Sequence, residues 1–250
     1  MPDELLDRLR QFKDEAFPTQ RALFRHLVDA GQHPTTLFIG CSDSRLVPTL
    51  LTAAAPGELF MVRNVGAFVP PWDQDAPLLG AAAEGDAAAQ DRVGFHGTAA
   101  AIEFAVLALD VRRIVVCGHS HCGAVRALYG RVPATARNLR QWLALGRDAV
   151  LPVAEPGPEV LRRTEQRAVV LQLERLMDYP MVRERVEAGR LSLHGWHYVI
   201  EDGEVHVFDL QRGGFVPASC ADNAGTAPYT LAPVDGDALE LDASGVPSGG

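Results

Sequence analysis

The chain has 250 residues, 47% hydrophobic and 22% charged, which is enough to bury a proper core in one large domain or two small ones without disulfide staples. No apolar run approaches the roughly 20 residues of a membrane-spanning helix, which excludes an integral helical membrane protein. The net charge of −9 resides in residues 71–92 (−4) and 213–250 (−5); the remaining body is neutral, Lys13 is the single lysine, and no basic footprint exists for nucleic acid or an anionic membrane.

The opening residues are charged and amphipathic and lack the apolar core and cleavage site of a secretory signal, so the sequence predicts a cytoplasmic protein. Leu5, Leu6, Leu9, Phe12 and Ala16 recur at helical spacing and Leu23, Phe24 and Leu27 continue the pattern. This predicts a helical arm over residues 1–30, divided into two helices at Pro18. Residues 36–39, 59–62 and 114–117 are short, continuous apolar runs, read as strands buried on both faces. Helical patterns at 48–55, 98–109 and 123–129 lie between them, and this alternation implies a parallel sheet built from crossover units. Residues 162–187 read as helix interrupted near Pro180. Residues 197–200 and 205–208 flank Glu201-Asp202-Gly203-Glu204, an Asp-Gly turn signal for an antiparallel hairpin.

The expected fold is therefore α/β: a mostly parallel central sheet flanked by helices, an antiparallel C-terminal edge hairpin and a long N-terminal helical arm. Residues 31–217 are expected to form the main α/β domain, with an insertion at 71–94. That insertion and the acidic tail 218–250 lack apolar periodicity and read as loop or weakly ordered structure.

Four cysteines are spaced too irregularly for a disulfide framework. Cys117 falls inside a predicted strand and Cys220 in the tail, and both read as structural. Cys41 follows one predicted strand, and His119 and Cys122 follow another. In an open parallel sheet the carboxyl ends of the strands share one crevice, so these three side chains can meet. Two thiolates and an imidazole suit zinc. The sequence offers only Asp43 or His121 as a nearby fourth donor. Asp43 precedes Arg45 by two residues, and a bidentate ion pair would hold its carboxylate beside the metal without requiring it to bind.

Cys41-Ser42-Asp43-Ser44-Arg45 and Gly118-His119-Ser120-His121-Cys122-Gly123, with Arg63-Asn64-Val65 between them, resemble the signature of the β-class carbonic anhydrases. The likeness runs from about Phe12 to Pro217, and Glu15-Ala16-Phe17-Pro18, Ser44-Arg45-Leu46-Val47-Pro48 and Leu193-His194-Gly195-Trp196 resemble the bacterial branch that accompanies cyanate metabolism. The resemblance implies zinc-dependent, reversible hydration of carbon dioxide to bicarbonate, one zinc per subunit on Cys41, His119 and Cys122, and Asp43 with Arg45 as the catalytic dyad. It also implies substrate contacts from Gln32, Phe60, Val65 and Phe95, the last standing where related chains carry a Tyr. A homodimer or a multiple of it is implied, with Gln32 acting across the interface. Phe38 stands where some members carry a Trp, and with Gln32 it implies that Asp43 pairs with Arg45 rather than with the metal. The competing readings are hydrolysis of carbonyl sulfide or carbon disulfide on the same scaffold, and a non-catalytic zinc module.

Overall fold

The computed structural model describes residues 4–72, 97–153 and 156–221. Phe95, most of the 71–94 insertion and all but the first residues of the acidic tail lie outside them.

The amino-terminal arm comprises α1 (Glu4–Gln11), a π-helical turn (Phe12–Ala16) and α2 (Phe17–Ala30). Pro18 does not divide it. The backbone stays right-handed helical through Gln11, Ala16 and Phe17, and the Phe17 N–H bonds back to the carbonyl of Phe12. The widened turn falls immediately before Pro18, where the ring would otherwise crowd the preceding turn and remove a hydrogen bond. The arm ends at Gly31, whose φ of 79° suits glycine.

Six strands form one sheet in the order β2-β1-β3-β4-β5-β6. β1 (Thr36–Cys41), β2 (Leu59–Asn64), β3 (Arg113–His119) and β4 (Ser192–Val199) run parallel; β5 (Glu204–Asp209) and β6 (Gly214–Pro217) continue antiparallel. The mostly parallel sheet with an antiparallel C-terminal edge agrees with expectation, and β6 extends the predicted hairpin. All six residues of β1 are buried, as a central strand requires. β2 is not buried on both faces: it is an edge strand, and Met61 remains 45% exposed.

Between the strands lie α3 (Pro48–Thr52), α4 (Gly97–Glu103) with a π-turn to Ala108, α5 (Gly123–Leu128), α6 (Arg137–Leu143), α7 (Pro158–Asp178) and α8 (Pro180–Glu187). Successive side chains of a strand point to opposite faces. Leu37, Ile39 and Cys41 thus enter the larger core with Ile102, Val169, Leu173 and Leu176, while Phe38 joins Leu46, Val115 and Cys117 on the other face. Each fully buried Leu, Ile or Phe contributes about 1.5–3 kcal/mol, so the central strands fix where the sheet ends. Among the described residues, no helix is long and apolar enough to cross a membrane.

Candidate active site

Cys41 and His119 are the last residues of β1 and β3 rather than the first beyond them, because ladder pairing runs one or more positions past the apolar runs. Cys122 follows at the N-cap of α5, after the chain reverses through His121 at φ 57°, a region uncommon for residues with a side chain. The Sγ atoms of Cys41 and Cys122 and a ring nitrogen of His119 lie within 4.8 Å of one another, and all three residues are buried.

The donor chemistry fits a metal ion. Nδ1 of His119 lies 2.8 Å from the carbonyl oxygen of Ser120, which can only accept, so Nδ1 carries the proton. Nε2 is left with a lone pair, buried and without a hydrogen-bond partner. That is the tautomer a histidine ligand adopts when a carbonyl orients its other nitrogen. The Cys122 thiol beside Cys41 draws the Cys41 thiol down to about 4 against the opposing cost of burial, helped by His119 and by the backbone N–H groups of Asp43 and Gly66. Cys122 is pushed up by the same contact and by burial. A dication bound there would favour the thiolate of both cysteines.

Glycine is required at position 66. Its φ is 88°, a Cβ there would stand 2.7 Å from Phe68 Cζ, and its N–H donates to Cys41 Sγ at 3.4 Å. Asn64 sets this turn, accepting from the Phe68 N–H at 2.8 Å and donating to the Phe68 carbonyl at 2.9 Å.

Asp43 and Arg45 form a two-pronged pair. Arg45 Nε donates to Oδ1 at 2.9 Å and Nη2 to Oδ2 at 2.8 Å, and the Arg45 backbone N–H adds a third bond at 3.0 Å. The guanidinium holds the Asp43 carboxyl well below the usual carboxylate range. Asp43 Oδ2 stands 3.9 Å from His119 Nε2, at the rim of the cradle. Arg63 secures the loop by donating to the carbonyls of Cys41 at 3.1 Å and Asp43 at 2.7 Å, and Arg45 Nη2 reaches the His121 carbonyl at 3.2 Å. His121 Nε2 lies 3.2 Å from Glu201 Oε1, and Ser120 donates to Oε2 of the same carboxylate at 2.7 Å. Both candidates for a fourth ligand are therefore engaged elsewhere.

Residues 36–205 match the family model described as carbonic anhydrase. A carbonic anhydrase of Pseudomonas aeruginosa is 38% identical over 85% of this chain and 90% of its own length. The solved β-carbonic anhydrase CcaA is 36% identical, with a TM-score of 0.72 over 85% of this chain and 90% of its own. The chain belongs to the β-carbonic anhydrase family. A tetrameric β-carbonic anhydrase of Sordaria macrospora is also similar, 27% identical with a TM-score of 0.65 over 85% of this chain and 96% of its own.

In this β-carbonic anhydrase, Val65 lies beside the cradle, its carbonyl taking the Trp142 Nε1–H at 2.7 Å. Phe60 lies five residues earlier, in β2, half-buried with its ring centroid 5.7 Å from that of Phe104. Gln32 is exposed and precedes the amino end of β1, at the sheet edge opposite Cys41. One chain thus brings Cys41, Asp43, Arg45, Val65, His119 and Cys122 together, but not Phe60 or Gln32. The sequence reading missed Glu165 and His197. Glu165 Oε1 accepts the Cys122 N–H at 2.9 Å, and its Oε2 lies 3.1 Å from His197 Nε2. An acid at helical spacing with Ala168, Val169, Leu173 and Leu176 is the signal that could have marked Glu165.

Proposed function

We propose that this protein hydrates carbon dioxide reversibly through zinc held by Cys41, His119 and Cys122, with Asp43 and Arg45 as its catalytic pair. The observation that carries the reading is the orphaned Nε2 of His119, facing two sulfurs beside an arginine-paired carboxylate. Zinc held by these residues would supply the nucleophile by lowering the pKa of water, less far than among three neutral imidazoles because two thiolates offset part of its charge. Carbon dioxide is small and apolar, so the protein's task is chiefly to aim that nucleophile.

Asp43 does the aiming. Arg45 keeps it ionised and off the metal, and Oδ2 accepts only one bond from Arg45, leaving a lone pair for the proton of the attacking group. Fixing that proton turns an electron pair toward carbon, the orientation that makes proximity effective. Val65 contributes apolar surface beside the cradle. Gln32 is suited to donate to the developing bicarbonate, and Phe60 and Phe95 to wall the substrate pocket, with Phe60, like Gln32, supplied by a neighbouring subunit.

A homo-oligomer, either a dimer or a multiple of it, completes the site. Gln32 and Cys41 lie toward opposite ends of β1, which supports a glutamine supplied by a neighbouring subunit. Exposed Leu9 and Phe12, 62% and 48% accessible, give the arm an apolar face for such a contact, and the similar Sordaria protein is described as tetrameric. The cytoplasm is the proposed compartment, supported by unpaired cysteines whose thiols the site uses.

Stopped-flow hydration of carbon dioxide, with zinc content measured before and after chelation, tests the reading. Activity should vanish with the metal and return on adding zinc. Turnover of carbonyl sulfide or carbon disulfide without hydration of carbon dioxide would reassign the substrate, and a zinc-loaded protein inert to all three would make the site structural.

A further inference from the structure

Between Asp110 and Asp148 the chain has no acidic residue but seven arginines, in a protein whose net charge is −9. Three of them, Arg131, Arg140 and Arg147, line one open groove of about 610 Å³. Leu128, Val132 and Leu143 line it as well. Among the described residues none of the three arginines has a carboxylate partner. The nearest acid in sequence, Asp148, is engaged by Arg175 at 3.4 Å.

The groove is also held in shape. α6 carries Arg140 and is pinned through Trp142, whose Nε1–H donates to the Val65 carbonyl at 2.7 Å. Arg147 follows Gly146, which packs so closely that a Cβ there would stand 2.5 Å from Phe68 Cζ and 3.0 Å from Leu128 Cδ1. Arg175 Nη1 donates to the Leu145 carbonyl. Walls fixed before a ligand arrives lower the ordering cost of binding it.

We propose that this groove binds a small molecule carrying two phosphate groups. A guanidinium fork matches phosphate oxygens bidentately, and three such forks carry more positive charge than one phosphate dianion neutralises. The volume falls within the roughly 300–1,000 Å³ of small-molecule sites and exceeds the needs of a lone inorganic anion. None of the groove's residues belongs to the metal cradle or the Asp43–Arg45 pair, so the site stands apart from the catalytic reading.

Calorimetric titration of the zinc-loaded protein with fructose 1,6-bisphosphate, with inorganic phosphate and sulfate at matched ionic strength, tests the proposal. The bisphosphate should bind saturably and more tightly than either simple anion. Arg140→Glu and Arg147→Glu should each weaken it roughly tenfold or more, with zinc content unchanged. Arg112→Glu, an equal change of charge outside the groove, should leave its affinity as in the parent. Equal weakening in all three variants would reduce the effect to net charge and overturn the proposal, as would the absence of saturable binding or equal affinity for sulfate.

Discussion

Glu165 and Cys122 are joined across the floor of the metal cradle: the carboxylate, only 4% exposed, accepts the Cys122 backbone N–H at 2.9 Å. Its second oxygen faces the fully buried His197, so neither oxygen is free to turn. Such outer partners set the direction of a ligand and not its identity. Glu165→Ala should therefore weaken zinc binding by roughly 10–100-fold, read by competition with a chromogenic chelator. Glu165→Gln keeps an acceptor for the N–H and should recover most of that loss. Equal zinc affinity in the alanine variant and the parent would reduce Glu165 to packing.

The ligands themselves should behave more sharply. Cys41→Ser and Cys122→Ser replace a zinc-bound thiolate with a hydroxyl, a poor donor for this metal, and should lose zinc and activity together. Cys117→Ser supplies the contrast. That thiol is buried with Phe38, Leu46 and Val115 on the sheet face opposite Cys41, and burial pushes its pKa up, so the change should cost stability without removing metal. Elemental analysis of the three purified variants decides; full zinc occupancy in either of the first two would remove that residue from the ligand set.

Much of this site was legible because strand ends advertise themselves. β1 and β3 are apolar runs that stop at Cys41 and near His119, and a parallel sheet brings such ends together. Register was less visible, since Gly40, Gly118 and the ligands continue the ladder through backbone hydrogen bonds that side-chain type does not report. Pro18 misled because a π-turn absorbs its missing donor. α6 was missed because Leu139, Trp142 and Leu143 are too few apolar residues to stand out from an arginine-rich stretch. Glu165 and His197, 32 residues apart, are joined only by tertiary packing of α7 on β4, which periodicity does not encode.

Arg45→Ala tests the role assigned to the dyad. In the parent, the paired Asp43 titrates below the usual carboxylate range, so stability from this pair is present above that range and is lost only as pH falls through the depressed value. Removing the guanidinium raises the Asp43 pKa toward the ordinary carboxylate value, about 4. The activity profile should then gain an acid limb at higher pH than the parent's, and turnover should fall more than zinc content. An unchanged acid limb with unchanged turnover would leave Arg45 without a part in catalysis.

Gln32 offers the most discriminating experiment, because it precedes β1 while Cys41 ends that strand. β1 carries the chain from the amino edge of the sheet to Cys41, and six residues at about 3.3 Å each separate the two ends by far more than a glutamine can reach. Gln32→Ala should keep its zinc and lose most activity, while Cys41→Ser should lose both. In a dimer formed from one chain of each kind, the intact metal site of the first receives Gln32 from the second. Random pairing of equal amounts makes half the dimers mixed, each with one working site of two, so coexpression should restore about a quarter of parental activity. Neither variant alone should approach that value. Recovery no greater than the average of the two separate variants would show that Gln32 acts within its own chain or not at all.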